Sequence, residues 1–184
     1  MTLSTCLRRR WAAVLLCLAA ASCAIPAAAL TATPPLAIPF AVRTGGETAH
    51  TDLRIAQQGI YRFGLTFQAV NVRDSSEVYA LLDLMGDAEN PYPSSASPPP
   101  NYGVPLSLSL RIERLEPGPV AVVFDRTTDQ VQRYAGFGGR FLKKIGDVTL
   151  DRGVYRVTVK NLRPAAQLSN LSVHIHINKA YLGK

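Results

Sequence analysis

The sequence has no cysteine after Cys23: Cys6, Cys17 and Cys23 all fall near the start of its 184 residues. A fold built from the remainder has no disulfide, no zinc–thiolate centre and no thiol nucleophile, so it must stand on its hydrophobic core. The single tryptophan, Trp11, belongs to the same leader. No Gly-x-Ser-x-Gly occurs, which removes the nucleophile elbow of the serine hydrolases. Charge of one sign is not concentrated either. The formal net charge is +7, but the 20 basic residues less Arg8, Arg9 and Arg10 of the leader leave 17 against 13 acidic ones, a net +4. These basic residues are scattered, typically one per strand at alternate positions, as on a solvated surface, and nucleic acid is not an expected partner.

What is present begins with that leader. "MTLSTCLRRR" is short and basic, "WAAVLLCLAAA" (Trp11–Ala21) is apolar, and small residues follow. The apolar run is too short for a membrane span, and the pattern predicts a secretory signal over residues 1–29. Two processing sites are open. Ala27 and Ala29 offer a small-x-small cleavage before Leu30, whereas "AASC" resembles a lipobox and would make Cys23 a lipidation site, with an outer-membrane lipid anchor. The next segment, 30–38, carries Pro34 and Pro35 and reads as an extended linker.

From there the chain alternates. In "GIYRFGLTFQAV" Tyr61, Phe63, Leu65 and Phe67 share one face, and Arg62, Gly64, Thr66 and Gln68 the other. Leu106, Leu108, Leu110 and Ile112 repeat the pattern, as do Leu171, Val173, Ile175 and Ile177. "FAVRT" reads as a first strand and "VAVVFDRTT" as a later one. One segment breaks the rhythm: Val78, Leu81, Leu82 and Met85 recur at helical spacing, with Asp74 or Ser75 to cap the start and Gly86 to end it. Residues 91–104 read as a Pro/Ser-rich loop. The predicted class is mainly β: a single domain over 39–184, an antiparallel two-layer β-sandwich of eight or nine strands with one short helix.

One phrase occurs twice. "QQGIYRF" and "DRGVYRV" each place a polar turn and a Gly two residues before a Tyr that begins an inward-facing run. Such a Tyr can bury its ring and return its hydroxyl to backbone in the bend, as the tyrosine corner of β-sandwiches does, and the two strands are expected in facing sheets.

The ordered set "AIPFAVR", "DLRIAQQGIYRFGLTF", "DSSEVYALLDLMGD", "GVPLSLSLRIERL", "VVFDRT", "FLKKIGDVTLDRGVYRVTVKNL" and "SVHIHI" resembles an uncharacterised family of exported bacterial proteins, many of them lipoproteins: domain of unknown function 5625. The resemblance runs from about Pro39 to Asn178. It implies the sandwich fold and the envelope compartment, and it brings no catalytic residue. The chain departs from the family pattern at Pro91–Pro100 and at "AGFGGR", where relatives tend to carry a Trp-containing bend.

Few residues invite chemistry. His174 and His176 share one strand face and could hold a metal with His50 as a third ligand, but that spacing is also that of two polar residues on the wet side of an amphipathic strand. Asp83, Asp87 and Glu89 lack the spacing of a calcium loop. "YAGFGGR" has no helix or Lys-Ser/Thr after it, so it is not a phosphate cradle. A binding patch is the better candidate there: Tyr134, Phe137 and Arg140, with Arg133, Lys143 and Lys144 beside them. The expectation is a non-enzymatic envelope protein, without cofactor, metal or catalytic residue, that binds another protein in an immunity or inhibitor-like role. The alternative is a small-ligand or glycan-binding module using Tyr92, Tyr102, Tyr134 or Phe137 as stacking platforms.

Overall fold

A computed structural model describes residues 31–88 and 99–180. The predicted signal over 1–29 with Cys23, together with Glu89, Tyr92 and most of the Pro/Ser segment, lies outside them. The described residues form a β-sandwich of nine strands and one α-helix. Strands β1 (Leu36–Pro39), β9 (Ser172–Lys179), β3 (Gly59–Gln68), β7 (Arg140–Leu150) and β6 (Arg133–Phe137) make a five-stranded sheet in that spatial order. The second sheet has four strands, β2 (Thr48–Ile55), β8 (Gly153–Asn161), β4 (Leu108–Glu116) and β5 (Ala121–Thr128). Every strand pair within them is antiparallel.

The alternating sets become the core. Phe63, Leu65 and Phe67 of β3 and Ile175 and Ile177 of β9 face Leu108, Leu110 and Ile112 of β4 and Tyr155, Val157 and Val159 of β8, all buried. Burial of such side chains contributes about 1.5–3 kcal/mol each and suffices without a disulfide. Helix α1 (Ser75–Met85) starts where Asp74 accepts hydrogen bonds from the Ser76 amide (2.8 Å) and hydroxyl (2.6 Å). It ends at Gly86, whose φ of 73° suits glycine. Leu81 and Met85 close one end of the core.

Both copies of the repeated phrase fold as tyrosine corners. Tyr61 donates its hydroxyl to the Gln57 carbonyl at 2.8 Å, and Tyr155 donates to the Asp151 carbonyl at 3.0 Å, each four residues upstream. One lies in each sheet.

Two segments differ from expectation. The first strand is Leu36–Pro39, not Phe40–Thr44, because Leu36 and Ile38 can pair with Ile177 and Ile175 along β9. Phe40 and Val42 are buried just beyond it. The segment 30–38, read as a linker, therefore contributes structure from residue 31 on: Ala32 bridges the four-stranded sheet through Asp52 and Arg54, and four residues later the chain joins the five-stranded sheet. The Gly-rich bend is a hairpin joining β6 to β7, with Gly138 and Gly139 both at positive φ (54° and 72°) as a tight primed turn requires.

Candidate functional site

The β6–β7 hairpin separates the three residues predicted to form one patch. Phe137 and Arg140 are register partners flanking the turn; Phe137 is 63% exposed, and Arg140 donates to Gln68 at 3.2 Å. Tyr134 lies beyond a bulge in β6, and its hydroxyl is directed away from the tip. Lys143, assigned to the same patch, is instead buried inside the sandwich at 1% exposure. It is in register with Leu65, whose side chain faces the core, and its ammonium donates to the Tyr102 carbonyl. Burial, with the Arg133 charge adding to it, pushes Lys143 down to about 8.

That placement costs stability at neutral pH. The unfolded chain holds the Lys143 proton up to about its ordinary 10.5, whereas the native state releases it near 8. Native stability therefore rises between these values. Lys143→Met is expected to stabilise the protein by about 1–2 kcal/mol at pH 7, and by less at pH 10, where the wild-type amine is already neutral. Urea titrations at both pH values check this.

The unforeseen feature is on the outer face of the five-stranded sheet. His176, expected on the solvent side, is 5% exposed. It lies opposite Gly64, where a Cβ would collide with the Lys143 carbonyl and sit 2.5 Å from His176 Cε1. The missing side chain makes the trough in which the imidazole lies. Nδ1 is 3.1 Å from the Thr66 hydroxyl, and Nε2 is 2.8 Å from the Tyr134 hydroxyl. The Arg62 guanidinium stacks 4.7 Å above the Tyr134 ring and is held by a bidentate pair with Asp147 at 2.8 and 2.9 Å. Beside this stack is an open cavity of about 560 Å³, bordered by Pro34, Pro35 and Asn178.

Burial, with Arg62 adding to it, pushes His176 down to about 4. The imidazole is thus neutral near pH 7 and too weak a base to activate Thr66 efficiently. Burial, reinforced by Asp147 and opposed by Arg62, raises Tyr134. The network holds a tyrosine and an arginine in fixed positions. His50 is on β2, in the other sheet from His174 and His176. Among the described residues, no three His, Cys, Asp or Glu side chains gather as a metal site.

On the outer face of the four-stranded sheet three carboxylates are bound by arginines. Asp52 pairs with Arg156 (2.9 Å), Arg156 is in register with Glu113, and Arg111 bonds both Glu113 (3.0 Å) and Asp125 (2.9 Å). The edge beyond Asp125 is different. Strand β5 pairs with β4 alone among the named strands, and Val120, Val122 and Val123 are 66%, 49% and 40% exposed. A strand edge with exposed valines is a template for another chain.

Fold and surface together define, among the described residues, an antiparallel two-sheet sandwich with an open apolar edge at β5. The family profile described as domain of unknown function (DUF5625) matches residues 37–179, and the chain belongs to that family. No curated protein matches the chain. Among solved structures, the crystal structure of GEBA250068378 from Sulfurospirillum deleyianum is similar, with a TM-score of 0.67 and 15% identity over 81% of this chain and 99% of that one. At that identity the likeness is one of fold.

Proposed function

We propose that this chain is a non-enzymatic, exported module of the cell envelope, periplasmic or tethered through Cys23, that binds another protein in an immunity or inhibitor-like role. The observation that carries this reading is the exposed apolar edge at β5, beside a sheet face on which Asp52, Glu113 and Asp125 are already bound by arginines. The poor basicity of buried His176 supports a binding role over a catalytic one.

The test is capture of the full chain's partner from crosslinked envelope extract. Wild type is expected to recover one protein near stoichiometrically, and the exposed-site variant Val122→Lys to recover it at least about tenfold less well, since tenfold is only about 1.4 kcal/mol. Equal recovery by both moves the contact off the β5 edge, and recovery of no protein by either overturns the reading. A small-ligand or glycan-binding role is the second reading, favoured by the cavity beside the Arg62–Tyr134 stack.

A further inference from the structure

The charges on β5 are not equivalent. Asp125 is on the outer face and is held by Arg111 at 2.9 Å. Arg126 faces the other way, in register with buried Leu110, and makes no hydrogen bond or ion pair among the described residues. It borders a groove of about 350 Å³ that runs between β5 and β7 at the open side of the sandwich, together with Thr128, Gln132 and Gly146. Asp147, the carboxylate on that groove, is already bound bidentately by Arg62. The free edge thus presents apolar side chains at its start and one uncompensated positive charge near its end.

We propose that β5 takes up an extended segment of a partner protein as an added strand, with apolar side chains alternating along it and a carboxylate opposite Arg126. This rests on the protein-binding reading above and names its mode and chemistry. Main-chain hydrogen bonds along the edge supply affinity, and side chains on one face of the added strand supply selectivity. Two other occupants fit less well. The chain's own Pro/Ser segment has prolines at 91, 93, 98, 99 and 100, each without the N–H that a ladder needs. A second copy pairing antiparallel through β5 places same-face residues opposite one another. On the face of Arg126 these are Phe124, Arg126 and Thr128, none of them acidic.

The experiment is amide hydrogen exchange on the captured complex, with partner affinity measured for wild type, Arg126→Gln and Arg126→Glu at low and high salt. Arg126 is exposed, so neither substitution threatens folding. The expected result is new protection of β5 amides between Val122 and Thr127. Affinity falls about threefold for Gln and at least about tenfold for Glu at low salt, with both differences shrinking at high salt. A captured partner that leaves the β5 amides unprotected overturns strand addition and leaves protein binding standing. Protection with equal affinity for all three forms overturns the carboxylate. Failure to capture any partner overturns the proposal and the function it rests on.

Discussion

Acidification from pH 7 to pH 4 is expected to remove roughly 3 kcal/mol of folding stability through His176 alone. The unfolded chain takes up this proton at an ordinary 6.5, but the native imidazole, pushed down by burial and then by Arg62, does so only at about 4. Between those values the unfolded state binds the proton and the native state does not, so stability is full above 6.5 and is lost as the pH falls towards 4. The neighbours make protonation costly. Arg62 of β3 stacks on the Tyr134 ring and adds its charge nearby, Tyr134 from β6 occupies one imidazole nitrogen and Thr66 the other, and the Asp147 carboxylate is committed to Arg62. The control is His176→Gln, whose amide can serve both hydroxyls and does not titrate. Subtracting its pH profile from that of wild type removes the contribution of the carboxylates, which begin to titrate in the same range. A flat difference between pH 7 and pH 4 would show that the imidazole is solvated. Gly64→Ala tests the same trough by another route. Its Cβ collides with the Lys143 carbonyl and crowds His176, a cost of about 1–3 kcal/mol or more. His176→Ala in that background is expected to restore only part of the loss, because the carbonyl remains.

How much of this was legible depends on what kind of information each residue carries. Strand faces were readable because alternation is local: Leu106, Leu108, Leu110 and Ile112 are all buried as their spacing predicts. The helix was readable because Asp74 and Gly86 are local start and stop signals. The tyrosine corners were readable because turn, Gly and Tyr lie within a few residues. Position in a sheet is another matter. "VAVVFDRTT" reads as a strand, but nothing in it shows that β5 is an edge with exposed valines, since periodicity says nothing about how many neighbours a strand has. Lys143 did carry a signal, being in phase with apolar Phe141 and Ile145, but Lys144 and Arg140 near it in the chain are equally consistent with a basic surface. His176 carried none on its own strand, where it matches His174. The clue was Gly64, more than a hundred residues away, in the middle of an outward-facing alternation. Strand pairing brings the two together, and composition cannot.

Truncating Tyr155 to Ala is expected to cost about 3–5 kcal/mol, and Tyr155→Phe about 1–2 kcal/mol, against a smaller loss for Tyr61→Phe. The first figure reflects a ring with no exposed surface near the start of β8, an interior strand of the four-stranded sheet, where the strands on either side cannot collapse into the space. The second isolates the hydroxyl. In Tyr61 it makes one bond, to the Gln57 carbonyl, in a partly buried corner. In Tyr155 it donates to the Asp151 carbonyl and also accepts from Arg114 at 3.1 and 3.3 Å, tying β4 to the turn before β8. Arg114 additionally stacks 5.6 Å from the Tyr155 ring and pairs with the Asp151 side chain at 2.9 Å. Removing the hydroxyl therefore strands a carbonyl and loosens a cation, whereas at Tyr61 it strands a carbonyl only. Thermal and urea unfolding of the three variants should order them as Tyr61→Phe, then Tyr155→Phe, then Tyr155→Ala in increasing damage. Equal losses for the two phenylalanine variants would show that the turn common to both corners sets the value, and that Arg114 finds in water what it finds in the hydroxyl.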